Sequence, residues 1–283
     1  MIVLTFSCPD KKGIVASVSK ILFENGANIV ESNQYSTNSG DKPHFFMRIV
    51  FETESPQKLH NINEKLSEFS LAFNAEFKLS DTSVKKKAAV FVSKEDHCLY
   101  ELLWQKSSGD LFFDIICIVS NHNILQPVAE SYGIPFIYAP HRDNQEQQEK
   151  FIKKEFKRLN LEIDFVILAK YMRILSKNFV NSFRGKIINI HHSFLPSFPG
   201  SKPYEQAYQK GVKLVGATAH FVNEKLDDGP IIEQDIIRIN HGDDISEIKR
   251  KGKIVEKLVI AKAVKFFTED RILEHNNKTI IFE

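Results

Sequence analysis

The chain has 283 residues, of which 42% are hydrophobic and 26% charged, and 38 lysines and arginines against 36 acids leave a formal net charge of +2. That length accommodates two domains, and so even a charge balance gives no general reason to expect nucleic acid or an anionic membrane as partner. Cys8, Cys98 and Cys117 sit at unrelated spacings that make neither a disulfide framework nor a zinc pattern, and no signal peptide or run of ~18 apolar residues is present, so the expected compartment is the cytoplasm.

Periodicity over the first 80 residues predicts a small α+β unit. Residues 2–6 form a short strand, Pro9-Asp10 offers an N-cap, and Ile14, Val15, Val18, Ile21 and Leu22 recur at helical spacing until Gly26. Strands at 28–35 and 44–51 flank a turn at Asn38-Ser39-Gly40-Asp41. Ser55-Pro56 opens a second helix bearing Leu59, Ile62, Leu66 and Phe69, and residues 72–79 return as a strand. The order β-α-β-β-α-β is ferredoxin-like. Residues 80–87 have few apolar groups and carry Lys85, Lys86 and Lys87, a solvated connector. The expected domains are therefore 1–80 and 88–283, with a linker at 81–87.

Beyond the linker, apolar strands at 88–92, 113–119, 135–138, 165–169 and 186–190 alternate with helices near 97–107, 124–132, 144–160, 176–183 and 203–210. Near-continuous apolar strands with helices between them predict a Rossmann-like α/β domain, its mostly parallel sheet covered on both faces. Residues 212–222 and 230–237 are later strands, and 245–268 is a long helix.

Chemistry concentrates between residues 187 and 234. An amide (Asn189), three imidazoles (His191, His192, His220) and a carboxylate (Asp227) surround two apolar strands. Such groups can attack a carbonyl and stabilise the oxyanion that results. Asn189 and His191 are two apart at the end of one strand and project to the same side. Asp227 sits in a Leu-Asp-Asp-Gly-Pro turn, where Gly229 and Pro230 force a bend that can aim a carboxylate at an imidazole. Taken singly, an Asn at a strand end and an Asp before Gly are ordinary turn formers. His220, within an alternating apolar strand, suits a supporting or core role better than that of a base, and His192 suits a pocket-shaping one. Two imidazoles with Asp227 make a conceivable metal set, but neighbours such as His191 and His192 tend to point apart on extended backbone.

Two resemblances organise these observations. Asp10-Lys11-Lys12-Gly13-Ile14, joining strand to helix, resembles the D-x-x-G-[IV] signature of an ACT domain. That implies a regulatory unit pairing with its copy in a homo-oligomer, with an amino-acid effector near Asp10, Gly13 and Ile14. The alternative is that Asp10 merely caps the helix and Gly13 permits close packing. The run N-I-H-x-S-x-L-P-x-F-x-G, followed by G-x-T-x-H-x-V and L-D-x-G-P-I-I-x-Q, resembles the folate-dependent formyltransferase fold. Asn189, His191 and Asp227 then stand at that family's catalytic positions. Met172, Arg173, Ile174 and Leu175 match its folate-binding stretch, where backbone and apolar groups hold the pterin, with His192 and His220 beside the substrate. Met172, Ile174 and Leu175 are otherwise core at a strand end, and Arg173 either lines the pocket or pairs with a carboxylate. The resemblance implies no metal and no cofactor.

The acceptor is read elsewhere. Ser93-Lys94-Glu95-Asp96-His97-Cys98-Leu99 has no glycine to cradle a phosphate and carries carboxylates that would repel one. The S-K-x-x-H-C-L motif, the doublet His191-His192 and the ACT-like unit together resemble the formyltetrahydrofolate deformylases over essentially the whole chain. Water is then the acceptor. The implied reaction is hydrolysis of 10-formyltetrahydrofolate to formate and tetrahydrofolate, supplying formate to purine biosynthesis and balancing the one-carbon pool. The alternatives are formyl transfer to an amine and a sensor that keeps the fold without chemistry.

Overall fold

The computed structural model describes residues 1–37, 42–140, 144–197 and 202–283. The turn expected at 38–41, and Phe198 to Ser201 of the formyltransferase-like run, lie outside the described residues. The chain forms two compact units, residues 1–84 with 269–275 and 280–283, and residues 85–268 with 276–279.

In the first unit, β1 (Ile2–Pro9), α1 (Ile14–Glu24), β2 (Asn28–Ser36), β3 (His44–Glu52), α2 (Pro56–Phe73) and β4 (Glu76–Asp81) give the expected ferredoxin-like order. The four strands make an antiparallel sheet in the order β2-β3-β1-β4. Alternate residues of β1 (Leu4, Phe6) and β3 (Met47, Ile49) meet Val18 and Leu22 of α1 and Ile62 and Leu66 of α2 in one core, as a period of two against a period of 3.6 requires.

Three local expectations change. Strand β1 runs on to Pro9, and Asp10 does not cap α1: its N–H donates to the Pro43 carbonyl and its carboxylate accepts from the Ser36 hydroxyl. Gly13 takes the cap position in a left-handed conformation (φ 93), with no side-chain cap. Helix α2 extends through Ala72 to Phe73, where Phe69 and Phe73 stack at 4.2 Å as i,i+4 neighbours, and Asn74 at φ 49 ends it. Lys86 and Lys87, expected in a solvated connector, already belong to the next strand.

The C-terminal residues also depart from expectation, since 269–275 and 280–283 belong to the first unit and not to a second domain spanning 88–283. Arg48 explains part of this. Only 4% exposed, it pairs with Glu31 at 2.8 Å and donates to the carbonyls of Glu269 and Asp270, both at 3.1 Å. A buried guanidinium needs an acceptor for each N–H it buries, and two of these are carbonyls 221 and 222 residues away.

The second unit holds β5 (Lys86–Val92), α3 (His97–Ser108), β6 (Phe113–Ser120), α4 (Gln126–Ser131), β7 (Phe136–Tyr138), α5 (Gln145–Arg158), β8 (Phe165–Leu168), α6 (Lys177–Ser182) and β9 (Ile187–His191). It continues through α7 (Pro203–Lys210), β10 (Leu214–Phe221), β11 (Ile231–Arg238) and α8 (Ile245–Thr268), and the chain ends with the paired strands β12 (Ile272–His275) and β13 (Lys278–Ile281). The seven-stranded sheet has the order β11-β10-β9-β8-β5-β6-β7. Strands β5 to β9 are parallel, while β10 runs antiparallel to both β9 and β11. The order turns about β5, with β6 on one side and β8 on the other, and ligand crevices open beyond the carboxyl ends of strands at such a point. Among the described residues no helix is long and apolar enough to cross a membrane.

Candidate active site

A cavity of about 260 Å³ opens beyond the carboxyl ends of β8 and β9. Its lining includes Asn189, His191, His192, His220 and Asp227 together with Met172, Arg173, Ile174 and Leu175. All nine residues expected to touch or transform a substrate thus meet in one space. Asn223, Glu224 and Lys225, between the two quoted motifs, also line the cavity and had no signal in the sequence.

The pairing of β9 with β10 does the positioning. Asn189 lies opposite His220, and His191 opposite Thr218. The His220 Nδ1–H donates to the Phe221 carbonyl at 2.8 Å, leaving Nε2 to accept from the Asn189 amide nitrogen at 3.1 Å. His220 is 2% exposed, and burial lowers its pKa, so it stays neutral in this accepting form. It orients Asn189, whose second amide hydrogen remains for a ligand.

Asp227 reaches the same place from a loop. Its backbone is left-handed (φ 54), which Asp tolerates better than most side chains. At Gly229 a Cβ would fall 1.6 Å from the Phe221 carbonyl oxygen, so only glycine lets the loop lie against the end of β10. The Asp227 carboxylate comes 3.3 Å from His191 Nδ1 and 3.9 Å from His220 Nε2. Asp228 turns away: half exposed, it stands 3.8 Å from the Lys225 ammonium.

His191 is 6% exposed, with Nδ1 facing Asp227 and a buried Nε2 that has no hydrogen-bond partner among the described residues. A Nδ1–H donated to the carboxylate leaves a lone pair on Nε2. An orphaned buried nitrogen is costly, and a ligand or water in the cavity is the natural partner. His191 and His192 do not diverge as adjacent residues on a strand would. Strand β9 ends at His191, and both rings line the cavity with centroids 5.3 Å apart. Burial, reinforced by the Lys170 charge, lowers the His192 pKa from 6.5 to about 4.

The apolar wall follows from β8. Met172 N–H donates to the Ser93 hydroxyl at 3.1 Å, tying the segment after β8 to the end of β5. Met172 and Ile174 are more than half exposed, as suits a ligand wall, while Leu175 packs on the core. In the first unit, Asp10 is exposed, whereas the Ile14 side chain is 2% exposed within the core, so only its backbone remains for an effector.

Four residues beside the cavity had no signal in the sequence as a group: His97, Lys170, Tyr204 and Glu256 form one buried cluster. Among the described residues, the one grouping with metal-ligand proximity is His97, Cys98 and Glu256. The Lys170 ammonium, 3.1 Å from Glu256, already supplies the cation there.

The chain matches the formyl transferase family model over residues 86–264 and the ACT domain model over 2–68. A formyltetrahydrofolate deformylase of Bacillus subtilis is 44% identical over 281 residues, covering 99% of this chain and 93% of that protein. The chain belongs to the formyltetrahydrofolate deformylase family. The crystal structure of a family member from Pseudomonas syringae superposes with a TM-score of 0.94 at 40% identity, covering 100% of this chain and 94% of the other. By contrast, the phosphoribosylglycinamide formyltransferase of Anaplasma phagocytophilum, 30% identical with a TM-score of 0.64, covers 71% of this chain and 96% of its own. The deformylase family thus shares both units of this chain.

Proposed function

We propose that this family member hydrolyses 10-formyltetrahydrofolate to formate and tetrahydrofolate, with water as acceptor and the formate passing to purine biosynthesis and the one-carbon pool. The observation that carries the chemistry is the His191 Nε2, buried without a hydrogen-bond partner among the described residues, backed by Asp227 at 3.3 Å and lining one cavity with Asn189. Water held at Nε2 loses a proton to the imidazole as its oxygen attacks the formyl carbon, and Asp227 stabilises the imidazolium that forms. The Asn189 amide donates to the tetrahedral oxyanion. The intermediate then collapses: the bond from carbon to N10 breaks, N10 takes the proton from His191, and formic acid leaves, giving up its remaining proton to solvent as formate. His192 and His220 stay neutral and shape the site, while Met172 to Leu175 receive the folate. The scheme uses no metal and no cofactor.

The first unit serves regulation in this reading. An amino acid fits its helix N-terminus, with the ligand carboxylate at the backbone beside Gly13 and Ile14 and its ammonium near Asp10. Pairing of these units makes a homo-oligomer, and the enzyme works in the cytoplasm on a soluble folate.

Incubation with 10-formyltetrahydrofolate and no amine tests the proposal. Catalytic formate release is expected. Release only after an amine is added would make the protein a transferase, and none under either condition would make it a sensor.

A further inference from the structure

The buried cluster beside the cavity takes no part in the chemistry above. Glu256, on α8 and 1% exposed, accepts from His97 Nε2 at 2.8 Å and from the Tyr204 hydroxyl, and pairs with the Lys170 ammonium at 3.1 Å. The start of α3, the turn after β8 and the first turn of α7 therefore converge on one carboxylate. Burial pushes Glu256 up, yet the His97 hydrogen bond and the Lys170 charge outweigh it and hold the carboxyl well below the usual range. It is ionised, and Lys170 is its counter-ion. Room has been made for the arrangement, because at Gly252, one turn before Glu256, a Cβ would fall 2.1 Å from the Tyr204 hydroxyl.

Lys170 is the informative member. Its backbone is left-handed (φ 64), a conformation glycine adopts freely and lysine only at a cost. A turn that served only to reverse the chain would do better with glycine, so the side chain is what the position requires. The side chain is 7% exposed, and the residue lines the cavity immediately before the wall formed by residues 171–175.

We propose that Lys170 is a positioning residue for ligand binding: its ammonium, clamped by Glu256 between His97 and Tyr204, anchors the wall at 171–175 to α8 and keeps the cavity in the shape that receives the folate. The ligand named here rests on the deformylase reading, whereas the clamp itself does not.

Two variants of the full chain separate the clamp from folding. Lys170→Gly keeps the left-handed turn and removes the tether, and Glu256→Gln keeps the size and removes the charge. For both, KM and the Kd of tetrahydrofolate are expected to rise about 10- to 100-fold, with kcat within about threefold of wild type. Amide hydrogen exchange of residues 170–175 is expected to quicken about tenfold or more in both variants, with or without ligand. Wild-type binding in the variants, with only the Tm lowered, would reduce the cluster to a folding element and overturn the proposal. A fall in kcat at unchanged KM would overturn it by moving Lys170 into the chemistry. Unchanged exchange would overturn the clamp whatever the substrate is, while a wild-type enzyme that releases no formate would sink the folate reading alone.

Discussion

Replacing Asp227 by Asn is the sharpest probe of the proposed base. Asn tolerates the left-handed backbone as Asp does, so the loop at φ 54 is not disturbed and the change is one of charge. In the scheme a full imidazolium forms on His191, 3.3 Å from the carboxylate. At that distance two unit charges attract by about 5 kcal/mol at an effective dielectric of about 20. Proton transfer is partial in the transition state, so roughly half of this is expressed there. Since 1.36 kcal/mol is tenfold, kcat should fall about 10²-fold, with about 10⁴-fold as the ceiling. The assay is steady-state formate release, with circular dichroism to confirm the fold. Asp228→Asn is the internal control, because its half-exposed side chain stands 3.8 Å from Lys225; turnover within about twofold is expected, as for an exposed pair. An Asp227→Asn enzyme within tenfold of wild type, or a larger loss at Asp228, would refute the reasoning.

Other residues give independent tests. Asn189→Ala should lower kcat about 10²–10³-fold, the usual cost of one oxyanion donor, with the fold intact; undiminished turnover would remove that role. Gly229→Ala drives a Cβ to 1.6 Å from the Phe221 carbonyl oxygen, so it should displace the Asp227 loop and lower both Tm and kcat, the latter about 10²-fold; an active, unshifted variant would show that the loop does not place the carboxylate. Stability should fall as pH drops from 6.5 towards about 4, because His192 titrates near 6.5 when unfolded and near 4 when folded, and the unfolded chain binds the extra proton in that window. His220, also lowered by burial, adds in the same direction. Thermal melts at pH 7 and pH 5 measure the slope, and His192→Gln should flatten it; a slope untouched by that change would place the titration elsewhere.

Local pattern carried much of this molecule. The helix expected at 245–268 is α8, Ile245–Thr268, because a long amphipathic repeat signals its own extent. The parallel strands were legible as apolar runs, and the motifs around Asn189, His191 and Asp227 carried a family resemblance that implied formyl chemistry before any geometry. Where local signals compete, reading was poorer: Ala72 suits helix or strand, and the stacking of Phe69 on Phe73 decides it. Only tertiary structure brings β10 antiparallel beside β9, so that His220 meets Asn189 and fixes its amide. It also turns the Asp227 carboxylate towards His191 and that of Asp228 towards Lys225, since the direction of each depends on a loop lying against Phe221. The cluster around Glu256 lay wholly out of reach. Its members are separated by up to 159 residues, and a lone Glu on a charged helix looks like solvated surface until folding buries it against a lysine. Periodicity and turn chemistry are short-range properties of the chain, whereas pairing of buried charges and registration of strands depend on contacts that exist only once the chain has closed on itself.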